Sequence, residues 1–176
     1  MAPPPPSHPP PPPEQTPHNF NHIAVSVPDA AAAAKWYTTV LGFHELRPMS
    51  TADRALHPDN AIFKIYPPDL QRVRIAYLST GDGVGFELFE FLEPRIAEPD
   101  GRANFAADYK RGGFFHVGVT TSDVEGLATK AVAAGAKRIG ETVQVFGYEA
   151  MYLEDPWGNV VELLNCSFER LMSNRG

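Results

Sequence analysis

The chain has 176 residues, 43% of them hydrophobic, and its 15 basic and 21 acidic residues give a formal net charge of −6. That balance argues against a nucleic-acid partner, which needs a basic face. No apolar run reaches the roughly 18 residues of a membrane span and no basic-then-apolar leader is present, so a cytoplasmic protein without membrane attachment is expected. A single cysteine, Cys166, excludes an internal disulfide framework and reads as a small apolar filler; histidines and carboxylates remain as the plausible metal ligands.

Ten of the 18 prolines fall within the first 17 positions. Such a run lacks backbone donors and favours polyproline II, so residues 1–18 are expected to form a disordered tail; docking to an SH3 or WW type module is the alternative use. The remaining ~158 residues suit one domain. We place it at 19–168, with module one at 19–92, a linker rich in charge and glycine at 93–113, module two at 114–168 and a C-terminal tail at 169–176.

Residues 21–27 alternate, with His22, Ala24 and Ser26 on one face and Ile23, Val25 and Val27 on the other. This is the pattern of a strand covered on one side. Asp29 can cap a helix over 30–41, whose Trp36, Tyr37, Val40 and Leu41 offer an apolar face and which Gly42 stops. Strands follow at 43–48, 73–79 and 85–91. Beyond the linker, a strand at 114–120 places His116, Gly118 and Thr120 on one face. Ser122 and Glu125 predict a capping box for a helix ending at Gly135. Strands at 137–145, 148–154 and 159–164 complete the series, the last two joined by the turn at 155–158.

The order is βαβββ, twice. Residues 76–88 lie over 151–163 at a constant offset of 75, which matches Tyr77 with Tyr152, Leu78 with Leu153, Gly83 with Gly158, Glu87 with Glu162 and Leu88 with Leu163. The two strand histidines stand 94 apart, so module one carries 19 extra residues, placed around 48–70. Each half offers one imidazole and one carboxylate. His22, Glu87, His116 and Glu162 together form a suitable ligand set for a divalent first-row metal, and small neighbours leave room above the sheet.

Other candidates have blander readings. Glu90 falls on the face opposite Glu87, and His44 and His57 have no repeat counterpart and read as surface. Residues 81–85 are glycine-rich but precede no helix, so they form no phosphate loop. Tyr77 and Tyr152 are candidate substrate hydrogen-bond donors, with core packing the competing role. The insertion, with Asp53, Arg54, His57 and Lys64, is long enough for a lid, and Arg72 and Arg74 are candidate anion receptors.

The duplication, the His-x-small-x-Ser/Thr strands and the run Asp155-Pro-Trp-Gly-Asn-Val-Val-Glu162-Leu together resemble the vicinal oxygen chelate superfamily. That superfamily includes glyoxalase I, methylmalonyl-CoA epimerase, extradiol dioxygenases and bleomycin-resistance proteins. The resemblance covers about 19–168 and implies an α+β fold whose tandem βαβββ modules form open, curled mixed sheets. It places His22, Glu87, His116 and Glu162 on the family's four ligand positions, around Zn, Ni, Co, Mn or Fe. It also implies a homodimer and a small-molecule substrate.

The implied chemistry is enolisation of a chelated carbonyl compound, as in a lyase or isomerase, with Glu162 or Glu87 as the base. A ring-cleaving ferrous dioxygenase is the competing enzyme. It needs two His, one carboxylate and open positions, which a fourth ligand at Glu87 would reduce. A small-molecule-binding resistance protein and a purely structural metal site are the non-enzymatic alternatives.

Overall fold

A computed structural model describes residues 18–96, 105–110 and 112–173; the segment 1–17, within the expected tail, lies outside them. Module one comprises β1 (His22–Ser26), α1 (Ala30–Val40), β2 (His44–Asp53), α2 (Ile62–Ile65), β3 (Arg72–Ser79) and β4 (Gly85–Glu93). After α3 (Phe105–Asp108), module two comprises β5 (Val117–Thr120), α4 (Val124–Ala133), β6 (Lys137–Val145), β7 (Tyr148–Glu154) and β8 (Val160–Leu164), followed by α5 (Phe168–Met172). Among the described residues no helix is long and apolar enough to cross a membrane.

Each module is an open four-stranded mixed sheet, in the orders β1-β4-β3-β2 and β5-β8-β7-β6. The first strand pairs in parallel with the last, and the other pairs are antiparallel. That arrangement requires a crossover, which α1 and α4 supply. The two-residue turn between β6 and β7 places Phe146 at φ 51° and Gly147 at φ 84°, the double left-handed conformation of a tight hairpin.

Asp29 caps α1 as expected, accepting from the amides of Ala31 and Ala32 at 3.0 and 2.9 Å. The second cap differs from expectation. Asp123, not Ser122, accepts from the Gly126 amide at 2.8 Å, while Glu125 turns outward to Arg138 and Thr142. The aspartate lies three residues before a free helical amide, and Glu125 finds a guanidinium instead of the backbone. The chain end also departs from a simple tail: Ser167 caps α5, and Leu171 is buried.

One core serves both modules. It joins Tyr37, Val40, Leu78, Phe86 and Leu88 of module one to Val124, Ala131, Met151, Leu153 and Leu163 of module two. Burying such a side chain contributes about 1.5–3 kcal/mol. Polar contacts then fix how the modules meet. Trp36 Nε1 donates to the Ala134 carbonyl at 2.9 Å and Lys130 Nζ to the Val40 carbonyl at 3.1 Å. Tyr37 donates its hydroxyl proton to buried Asp155 at 2.7 Å, and the other Asp155 partners are the Trp157 amide and the amide and side chain of Asn159.

Candidate active site

The 75-residue repeat becomes a shared register in space. Tyr77 stands opposite Glu87 across β3 and β4, and Tyr152 stands opposite Glu162 across β7 and β8. Period-two alternation puts both tyrosines and both glutamates on the faces away from α1 and α4. Those faces remain open at their parallel edges: Ala24, Ser26, Gly118 and Thr120 are exposed beside the two histidines.

In module one, His22 Nε2 lies 3.5 Å from Glu87 Oε2, with side chains 49% and 26% exposed. Asn21 Oδ1 sits 2.7 Å from His22 Nδ1; in the tautomer whose Nδ1–H donates to it, Nε2 carries the lone pair. Gly85 faces His22 across the ladder, where a β-carbon would come within 3.0 Å of the His22 β-carbon. A side chain there would crowd His22 and require it to give by a few tenths of an ångström.

In module two, His116 Nε2 lies 3.3 Å from Glu162 Oε2, with side chains 29% and 18% exposed. His116 precedes β5 and is not part of it as expected, and its Nδ1 is buried without a hydrogen-bond partner among the described residues. Its ring packs edge-on against Phe115 and Tyr152, at centroid separations of 5.1 and 5.2 Å. Partial burial, followed by the hydrogen bond and negative charge of Glu162, pushes the Tyr152 phenol up to about 12. Tyr152 therefore stays protonated and faces Glu162 as a donor.

Tyr77 has a different environment. Its hydroxyl is 3.0 Å from Ser50 Oγ, and Arg47 lies over its ring at 5.0 Å. Arg74 points to the opposite face, where it pairs with Glu90 at 3.1 Å; Glu90 also accepts from the first α1 amide, Ala30, at 3.1 Å. Strand parity separates Arg74 from Tyr77, so it is not brought to the candidate site. Arg72 pairs with Asp53 at 3.3 Å, and Arg54 donates to the carbonyls of Leu70 and Pro67. Asp53 and Arg54 thus pin the insertion itself. His44 and His57 are exposed, as expected.

Each histidine–carboxylate pair has donors suited to a divalent ion, but two donors do not enclose one. No group of three or more His, Cys, Asp or Glu side chains converges among the described residues. A cavity of about 300 Å³ elsewhere, lined by Val25, Tyr37, Phe86, Phe115 and Val160 among others, contains none of the four donors. It lies at the junction of the modules. Asn21 and Ser50, which touch His22 and Tyr77, carried no repeat signal in the sequence.

The model of the Glyoxalase/Bleomycin resistance protein/Dioxygenase superfamily matches residues 19–163, and the chain belongs to that family. It is 31% identical over 151 residues to a 2-epi-5-epi-valiolone epimerase from Actinomyces sp., covering 82% of this chain and 78% of that protein. A glyoxalase family protein from Bacillus cereus has a similar fold, with a TM-score of 0.69 and 21% identity over 86% of this chain and 96% of that one. Glyoxalase I from Zea mays gives a TM-score of 0.55 at 22% identity, over 84% of this chain and 44% of that one.

Proposed function

We propose that this chain is a metal-dependent isomerase or lyase of the glyoxalase/epimerase type, acting on a small carbonyl substrate at a site assembled from two copies of the chain. The observation that carries this reading is the duplicated, incomplete pair: His22 with Glu87 and His116 with Glu162, each on an open face and each short of a full ligand set. A second copy can juxtapose one pair from each module. The small exposed residues beside both histidines leave space for that approach.

His22, Glu87, His116 and Glu162 would hold the ion, which supplies Lewis-acid polarisation of a chelated carbonyl when bound. Glu162 is the proposed base: it takes the proton from the carbon beside the carbonyl and later returns it. Returning the proton to the other face of the same carbon is epimerisation; returning it to the neighbouring carbon is isomerisation. Tyr152 directs the Glu162 carboxylate by donating to it. His22 is oriented by Asn21 and serves as a fixed ligand. The epimerase relative supports the isomerase side of the reading.

Complementation tests the shared site. His22→Ala and His116→Ala should each lose solvent deuterium exchange at a carbonyl-adjacent carbon, by about 10²-fold or more. Mixed in equal amounts and allowed to exchange subunits, they should regain about a quarter of wild-type sites, because half the dimers are mixed and each holds one intact site. Recovery of nothing would place the site within one chain or nowhere. Turnover that requires O2 and ferrous iron would replace the proposal with the ring-cleaving dioxygenase.

A further inference from the structure

Two of the short helices outside the βαβββ repeat, α2 and α5, cover the same patch of the two modules. In module one a separate apolar cluster joins Val73, Ile75, Phe89 and Phe91 to Phe63 and Leu70 of the insertion. In module two the corresponding cluster joins Tyr148, Ala150, Leu164 and Cys166 to Leu171 of α5. Adding 75 to the four strand positions of the first cluster gives those of the second. The β2 and β6 contributors also correspond, since Ala52 pairs with Val73 and Val145 with Tyr148. The covering segments come from unrelated places in the chain, one between β2 and β3 and the other after β8.

Both patches lie on the face that carries the candidate donors. The covered tier starts at Ile75 and Phe89 in one module and at Ala150 and Leu164 in the other, two residues along the strand from Tyr77 and Glu87 or from Tyr152 and Glu162. At strand rise that separation is roughly 7 Å. Beyond it the face is filled. Phe63 is 6% exposed and Leu171 3%. Tyr66 packs against Phe89 and Phe91 at centroid separations of 6.4 and 5.8 Å, and the Arg54 guanidinium lies 4.5 Å from the Phe63 ring centre while gripping the loop carbonyls. The cover is therefore packed and tethered, in contrast to a hinged lid.

We propose that α2 and α5 are specificity elements that stop the depth of the two half-cups. They restrict the substrate to a compact group at the tyrosine and glutamate tier and require any longer substituent to leave by the histidine end. This rests on the reading of His22, Glu87, His116 and Glu162 as the site. The substrate class is a small chelating carbonyl compound without an apolar tail beside the chelated carbonyl.

The test uses two hydroxamates, which offer the same pair of chelating oxygens with different tails: acetohydroxamate and octanohydroxamate. Their affinities are measured on the full-length protein loaded with a divalent ion, for wild type, Phe63→Ala, Tyr66→Ala and Leu171→Ala. Circular dichroism and melting confirm folding, and Tyr66→Ala serves if Phe63→Ala does not fold. Opening a cover should tighten octanohydroxamate by about tenfold or more, the effect of burying roughly two methylenes. Acetohydroxamate should change by less than about threefold. An unchanged ratio in every folded variant overturns the proposal. If neither hydroxamate binds folded wild type, the chelating site is wrong. The covers are then judged by 1-anilinonaphthalene-8-sulfonate on metal-free protein: a gain in the variants upholds occlusion of a pocket and no gain overturns it.

Discussion

The two modules carry the same histidine, glutamate and tyrosine at repeat-related positions but surround them differently. In module one the imidazole is anchored by Asn21, the carboxylate is more open, and the tyrosine turns to Ser50. In module two the imidazole has an unpartnered buried nitrogen, the carboxylate is more enclosed, and the tyrosine faces it. Duplication preserves where a side chain sits on a sheet face; its neighbours decide what it can do. A fixed, solvated pair suits a ligand role, and an enclosed carboxylate with a neutral donor suits proton transfer.

The largest expected effect comes from treating the two carboxylates alike. Glu162→Gln should lower carbonyl-adjacent deuterium exchange by about 10²-fold or more, and Glu87→Gln by about tenfold, as loss of a ligand without loss of the base. Rates under saturating metal distinguish the two. Equal losses would erase the proposed division of labour.

A smaller effect should appear at the histidines' outer nitrogens. Asn21→Ala frees His22 Nδ1 and should weaken metal binding by about 10-fold or somewhat more, measured by competition with a chromophoric chelator. His116 has no such partner to lose. An Asn21→Ala protein with unchanged metal affinity would show that the hydrogen bond does not orient a ligand.

The third contrast lies between the modules. Tyr37 reaches across to Asp155, while the repeat-related positions, Ala131 and Thr80, make no reciprocal bond; Thr80 instead bonds Asp82 and the Val84 carbonyl. Tyr37→Phe leaves a buried carboxylate one donor short and should cost about 1–3 kcal/mol of unfolding free energy, whereas Thr80→Ala should cost about 0.5 kcal/mol or less. Burial first, and then the charge of Asp155, holds the Tyr37 phenol well above its usual range. Its folded value exceeds its unfolded value of about 10, so this contribution is complete below pH 10 and is lost as pH rises through the folded value. Urea melts from pH 8 upward should show a steep alkaline decline in wild type that flattens in Tyr37→Phe.

Much of the fold was legible because it was written in short-range patterns. Alternation set the faces of β1 and β4, Asp29 and Gly42 bounded α1, and the constant offset of 75 marked the equivalent strands of the two modules. The same parity put Glu90 opposite Glu87. The local cues misled where two caps competed nearby: α4 begins one residue later than the Ser122 cap requires, so Asp123 accepts from the Gly126 amide and Glu125 pairs with Arg138. Leu171 read as tail because two adjacent apolar residues, Leu171 and Met172, in a short segment have no period to detect.

By itself the sequence determined the duplication, the α+β modules and the pairing of each histidine with one carboxylate, since repeat spacing and strand parity are properties of the chain alone. Only the tertiary structure decided that Arg74 is held by Glu90, that the Tyr152 hydroxyl bonds its glutamate while the Tyr77 hydroxyl turns to Ser50, that the two donor pairs remain apart, and that α2 and α5 close equivalent patches. Those outcomes depend on contacts between segments far apart in sequence. Charge pairing and burial between such segments are settled by how the sheets and helices pack, and no local pattern encodes them.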